Sequence, residues 1–312
     1  MRLVYNDMYE RKGMGETRTT PLATQLSDKE IAYAKEFAKG IQVTDTTTIL
    51  KYGTVPQKKF NAFADRSILD IPVNDLNDVD KVIKELLGKL NGFEKGILAK
   101  KDLRAGSKKS MQEFRSAYDR FSADIDEGER KLEVLRDSIL RHVNRMERVY
   151  AECYAIVREF DMYVLAAEYA LADGRNTRLQ EFEERAKKTG LLEDYMKVTD
   201  YTKALDRLEK KKQTLALTRA LPLQTLAQIR LIQETDGVIA ENLNNLVAHV
   251  FPLYKNRVII SLSVKENSAP LIDTDEFMAT NASLRDALEG ILKARKSGVA
   301  KQKESFLMFG KQ

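Results

Sequence analysis

The 312-residue chain contains 15 glycines and 6 prolines, and 32% of its residues are charged while 43% are hydrophobic. So few glycines and prolines disfavour turn-rich β folds, and this balance of charged and apolar residues is typical of long amphipathic helices. The net charge of +5 is concentrated in residues 290–312, where six basic residues meet one acidic residue. The rest of the chain therefore offers no broad basic surface, and nucleic-acid binding is not expected.

Several kinds of chemistry are disfavoured by missing sequence signatures. A single cysteine, Cys153, excludes an internal disulfide, CxxC redox chemistry and a zinc site with two or more cysteines. No long apolar run predicts a membrane span, and no secretory signal is recognisable. His142 and His249 form no ligand pair, and no phosphate-binding glycine loop occurs. We therefore expect a cytoplasmic protein without a metal or cofactor, and these absences disfavour an enzyme.

The N-terminal third predicts a group of short helices. Residues 1–26 are polar and rich in turn-forming residues, and we interpret them as a flexible segment. Ser27 and Glu30 then form a capping box that begins an amphipathic helix. Apolar periodicity predicts a further helix over residues 74–93. Together these signals indicate an N-terminal helical module over residues 27–106.

A continuous heptad seam follows this module. Its apolar positions alternate in steps of three and four residues, which is the period of a left-handed supercoil. Gly174 is predicted to cap the C-terminal end of this long helix. The seam residues are Met111, Phe114, Tyr118, Phe121, Ile125, Gly128, Leu132, Leu135, Ile139, His142, Met146, Val149, Cys153, Ile156, Phe160 and Tyr163.

The remaining sequence predicts more helices. A charged helix covers residues 175–190, a third long helical region runs over residues 198–220, and Pro222 opens another helix. Pro252 is expected to interrupt that helix with a kink. The last helix begins near Pro270.

These elements predict an all-α fold: an elongated antiparallel bundle with a coiled-coil stalk. The bundle is expected to cover residues 107–300. Residues 301–312 form a basic and apolar tail, in which lysines precede Phe306 and Phe309. Such a tail suits weak docking on an anionic membrane, a contact with another protein, or simple solubilisation.

One acidic residue stands out on the helix that Pro222 opens. Asp236 falls in the middle of an apolar face, where a carboxylate is costly unless it is paired. The basic residues considered as partners are Arg219, Arg230, Lys255 and Arg257. Two interpretations remain open: a buried polar network that fixes helix register, or a polar pocket that binds an anion or a partner.

Three blocks of sequence carry a resemblance to a known family. The segments LALTRALPLQTLAQIRLIQ (residues 215–233) and FPLYKNRVIISL (residues 251–262) resemble the signature of the toxic-anion-resistance (TelA-like) proteins, named for tellurite resistance. ILKYGTVPQKKFNAFADRSIL and DEFMATNASLRDAL resemble that family's N-terminal and C-terminal blocks. The matching polar residues and proline are Gln57, Arg219, Gln224, Gln228, Arg230, Gln233, Pro252, Lys255, Asn256, Thr280 and Asn281.

The resemblance implies a cytoplasmic helical protein linked to resistance to tellurite and other toxic anions or to envelope stress. One hypothesis is a non-enzymatic scaffold that engages other proteins of a stress-resistance system, or the inner membrane face. The other is a direct oxyanion binder that uses the donor cluster Arg219, Gln224, Gln228, Arg230, Gln233, Lys255 and Asn256. A tellurite reductase is disfavoured because a lone cysteine lacks a resolving thiol. The oligomeric state stays open.

Overall fold

The computed structural model describes residues 26–69, 74–98, 108–263 and 274–309, and all regular structure in these ranges is helical. The all-α prediction is therefore confirmed for the described part of the chain. Its α-helices are α1 (Asp28–Lys39), α2 (Thr46–Lys51), α3 (Thr54–Leu69), α4 (Asn74–Phe93), α5 (Lys108–Asp173), α6 (Leu179–Thr189), α7 (Leu192–Thr218), α8 (Ala220–Asn245), α9 (Phe251–Ser263) and α10 (Thr274–Phe309). Within the same ranges, no helix combines the length and apolarity needed to cross a membrane.

Several helix boundaries follow local signals in the sequence. Ser27 and Glu30 form the predicted capping box, in which the Glu30 carboxylate accepts a 2.8 Å hydrogen bond from the Ser27 backbone. Helix α4 has the predicted bounds. Helix α6 ends at Gly190, which adopts a left-handed conformation with φ of 66° that glycine tolerates without strain.

Two predicted helix ends are replaced by π-helical turns. The prediction that Gly174 caps α5 is wrong, because the chain continues through a π-helical turn (Gly174–Arg178) into α6. Gly174 is buried, and a Cβ there would lie 2.7 Å from a methyl carbon of Leu205, so this glycine permits close packing. Another π-helical turn (Leu246–Val250) joins α8 to α9 just before Pro252, and a further one (Glu94–Leu98) follows α4.

The chain divides into two compact units, each built from segments that are distant in sequence. Of the described residues, the first unit contains those within 26–59 and 155–221, and the second contains those within 60–154 and 222–309. Helix α5 thus contributes residues to both units. The N-terminal module over residues 27–106, which rests on local signals, stays a prediction.

The second unit has one continuous apolar core, to which α4, α5, α8, α9 and α10 contribute. The described seam residues of α5 in this unit are mostly buried, as their spacing predicts. A supercoiled stalk stays a prediction. Fully buried members of the core include Val79, Ile83, Leu90, Phe114, Leu132, Ile239, Leu243 and Phe251.

The first unit joins α1 and α2 to the C-terminal part of α5. Arg158 on α5 pairs with Glu30 on α1, and this pairing, followed by the Ser27 hydrogen bond, lowers the pKa of Glu30 to about 2. The Tyr52 hydroxyl donates a 2.5 Å hydrogen bond to the Tyr163 carbonyl. These two contacts hold the N-terminal helices against α5.

Candidate functional site

Helix α8 carries most of the predicted site residues, and three of them, Arg230, Gln233 and Asp236, contact α5 within the second unit. The two helices run antiparallel, since Cys153 lies opposite Pro222 whereas His142 lies opposite Asp236. Gln224 and Gln228 are half-buried on α8. The predicted donors on this helix are therefore directed partly toward neighbouring protein groups and partly toward solvent.

A closed hydrogen-bonded network surrounds Arg230. Its Nη1 donates to Glu147 Oε2 at 2.7 Å and to Gln233 Oε1 at 2.9 Å. Gln233 Nε2 donates to the same Glu147 oxygen at 2.8 Å. The guanidinium also lies 3.6 Å from the centre of the Tyr150 ring, a cation–π geometry. The donors proposed for an oxyanion thus already bind a carboxylate of α5.

This network has a buried side and an exposed side. Gln233 is buried, whereas the side chains of Arg230 and Glu147 are 43% and 58% exposed. Hydrogen bonds from Gln233 and Arg230 lower the pKa of Glu147, so it stays ionised at neutral pH. Solvent screening limits what this pair adds to stability, to below about 1 kcal/mol.

Asp236 pairs with His142 of α5. His142 is a seam residue and was not among the four basic residues considered as partners of Asp236. His142 Nδ1 lies 2.7 Å from Asp236 Oδ2, and both side chains are buried. Among the described residues, none hydrogen-bonds to the buried Asp236 Oδ1 or His142 Nε2. The pair is therefore a buried polar contact, and each member depends on the other for its hydrogen bond.

Lys255 on α9 forms ion pairs with two further carboxylates of α5. Its Nζ lies 2.6 Å from Asp126 Oδ1 and 2.5 Å from Glu129 Oε2. Burial alone would lower the pKa of Lys255, but the hydrogen bonds to both carboxylates outweigh burial and raise it. Asn256, the next residue, is exposed.

Arg219 belongs to a different unit from the other predicted residues. It belongs to the first unit and pairs there with Asp161 of α5, with Nη2 3.1 Å from Oδ2. Asp161 is buried, and burial raises its pKa even though Arg219 opposes the shift. The predicted donor set is thus divided between two units.

A second buried polar contact involves two residues from the resemblance blocks. The Tyr254 hydroxyl donates to Asn281 Oδ1 at 2.9 Å, and both residues are buried between α9 and α10. Burial raises the pKa of Tyr254, so its hydroxyl remains a proton donor. This hydrogen bond links α9 to α10 at the apolar core of the second unit.

Cys153 is a buried thiol on the same face of α5. Its Sγ lies 3.4 Å from the Pro222 carbonyl oxygen, and burial, followed by the nearby Glu152 charge, raises its pKa to about 12. Within the described ranges, no group of three or more His, Cys, Asp or Glu side chains is placed to hold a metal ion.

We expect Cys153 to be unreactive in the native protein. A thiol with a pKa near 12 has roughly a thousandfold less thiolate at pH 8 than an ordinary cysteine, so labelling by DTNB should be slower by at least that factor. In guanidinium the chain's one cysteine should label rapidly and completely, which serves as the control. Fast stoichiometric labelling of the folded protein would contradict this expectation and revive thiol chemistry.

These observations define a helical protein whose long central helix is linked to its neighbours by ion pairs and buried polar contacts. The sequence signature of the family described as toxic anion resistance protein (TelA) matches residues 34–269, so the chain belongs to this family. It is 26% identical to an uncharacterized protein of Listeria monocytogenes, over 92% of this chain and 83% of that protein. No solved structure matches significantly.

Two further relatives are of similar distance. A TelA-like protein of Staphylococcus epidermidis is 26% identical, with 86% of this chain and 75% of the relative covered. An uncharacterized protein of Bacillus subtilis is 27% identical, with 80% of this chain and 66% of the relative covered. The similarity therefore extends over most of the chain.

Proposed function

We propose that this protein is a non-enzymatic helical scaffold in toxic-anion resistance, and that it acts by engaging protein partners. The observation that carries the proposal is the closed network of Arg230, Gln233 and Glu147, in which the family-motif donors bind a carboxylate of the protein itself. Lys255 is engaged in the same way by Asp126 and Glu129. Such groups suit the role of positioning helices better than that of receiving an external anion.

An exposed apolar surface on the first unit supports the partner-binding part of the proposal. Helices α6 and α7 form a hairpin around Gly190, and four large apolar side chains are exposed where α7 begins. Contiguous exposed apolar side chains of this kind commonly mark protein interaction sites. We call these residues the hairpin tip: Leu191, Leu192, Tyr195 and Met196.

The scaffold role is tested by charging the hairpin tip. In a strain that depends on this protein for tellurite tolerance, the double variant Leu192→Glu and Met196→Glu should lose most of that tolerance. Leu192 is 75% exposed, so the melting temperature should change little. The matched control, Thr199→Glu with Thr202→Glu, adds the same charge at exposed positions of the same helix and should keep tolerance. Full tolerance in the tip variant would contradict the proposal.

Direct oxyanion binding is the alternative, and calorimetry separates the two. If the scaffold proposal holds, titration with tellurite or selenite gives no saturable heat with the wild-type protein. Saturable binding that Arg230→Ala abolishes would support the alternative instead. The matched control is Arg66→Ala, because Arg66 also pairs with a glutamate of α5, Glu152, but lies outside the family-motif donors.

A further inference from the structure

A cavity of about 310 Å³ lies within the first unit. It is bounded by α1, the segment that follows α1, the C-terminal end of α5, the π-helical turn Gly174–Arg178, and α7. A volume of this size falls at the lower end of the range of small-molecule sites. The cavity therefore has room for a compact organic molecule.

The buried residues that line the cavity are apolar or aromatic. Ala38, Val43 and Ala170 are buried there, and the rings of Tyr169 and Tyr201 complete the lining. The Tyr201 ring is held by an edge contact with Phe182, at 5.2 Å between ring centres. Two aromatic rings among small aliphatic residues favour a ligand with a flat apolar body.

The rim of the cavity is cationic. Lys35, Lys39, Arg178 and Asp173 line it, and Lys39 is already paired with Glu36 at 2.6 Å, which leaves Lys35 and Arg178 as its main cations. Lys35 lies over the Tyr169 ring, with Nζ 5.4 Å from the ring centre. Arg178 contacts Asp173 only at 4.0 Å, and both side chains are 65% exposed, so this loose pair leaves the arginine available to a stronger anion.

The π-helical turn shapes this rim. By widening the helix after α5, it brings Arg178 to the cavity, and its first residue, Gly174, packs closely beneath Tyr201. A Cβ at Gly174 would lie 3.1 Å from the Tyr201 hydroxyl oxygen. Burial raises the pKa of Tyr201, so this hydroxyl is a neutral hydrogen-bond donor at physiological pH. Turns of this type often occur at functional sites.

We propose that this cavity binds a small organic anion: a flat aromatic body that carries one phosphate or carboxylate group. The aromatic body would lie against Tyr169 and Tyr201, and the acidic group would meet Lys35 and Arg178 at the rim. An inorganic oxyanion would satisfy the rim but leave the apolar lining unfilled, so it should bind more weakly. The inference is independent of the scaffold role proposed above.

Calorimetry with matched probes on the full chain tests the site. We expect 2-naphthyl phosphate and 2-naphthoate to bind saturably with one site per chain, and both inorganic phosphate and uncharged 2-naphthol to bind at least about tenfold more weakly. The double variant Lys35→Gln with Arg178→Gln should bind 2-naphthyl phosphate at least about tenfold more weakly than the wild type, because it removes two positive charges from the rim. These residues are exposed, so the variant should fold normally.

The control variant removes two positive charges elsewhere in the first unit. Lys29→Gln with Lys203→Gln changes exposed residues of α1 and α7 that do not line the cavity, and it should bind the probes like the wild type. Equal weakening in the control would overturn the proposal, because the attraction would then come from overall charge. Absence of saturable binding by both aromatic anions, or equal affinity for inorganic phosphate, would overturn it as well.

Discussion

Asp236→Leu is expected to lower the free energy of unfolding by about 3 kcal/mol, because it leaves the buried His142 without its partner. Asp236→Asn keeps a hydrogen-bonding group of similar shape and should cost about 1 kcal/mol. Urea denaturation measures both losses of stability as shifts of the unfolding midpoint, provided that the m-value stays the same as in the wild type. Glu234→Leu, at an exposed position of the same helix, is the control and should change stability by less than about 0.5 kcal/mol.

A double variant separates the effect of the His142–Asp236 contact from the effect of changing each residue alone. If His142 and Asp236 depend on each other, combining His142→Leu with Asp236→Leu should cost less than the sum of the single changes, since no unpaired polar group then remains. Additive costs would show that the contact contributes nothing specific. Equal costs for Asp236→Asn and Asp236→Leu would likewise contradict a hydrogen-bonding role.

The fold was predictable where burial follows a local period. The alternation of apolar residues in steps of three and four placed Leu132, Ile139 and Met146 of α5 on one face, and all three are buried. Capping chemistry located the start of α1, and Gly190 located the end of α6. These signals depend on neighbours within one or two helical turns, which the sequence shows directly.

Gly174 shows where local reasoning failed. A glycine after an alanine and an aspartate is typical of a helix end, but here the residue is buried and allows Leu205 to approach. A helix cap and a close packing contact both favour a residue without a Cβ atom, so a glycine in the sequence does not show which of the two it serves. The two-unit organisation likewise depends on contacts between distant segments, because the described residues 26–59 group with residues 155–221.

The candidate site was only half predictable. The apolar face of α8 identified Asp236 as a costly buried acid, yet the partners considered were all permanently charged, and His142 lies 94 residues away in sequence. Glu147 and Tyr150, which complete the Arg230 network, flank the seam of α5 and carry no motif of their own. Long-range pairing across antiparallel helices depends on register, which no local spacing specifies.

The register of α5 is itself tested by Leu132→Ala, which should lower the free energy of unfolding by about 2–5 kcal/mol. Leu132 has no exposed surface and lies in the core of the second unit, so truncation removes buried apolar area and leaves a cavity. The matched control is Val134→Ala, two residues further along, where the side chain is 67% exposed. It should change stability by less than about 0.5 kcal/mol.

The ratio of the two effects is what discriminates between registers. A helix rotated by two residues would exchange the environments of Leu132 and Val134, and the costs would exchange with them, because about 100° separates successive residues around a helix. Urea midpoints for both variants, compared at equal slope, therefore report the orientation of α5 in solution. Equal costs at the two positions would contradict the seam that positions Glu147 and His142 toward α8.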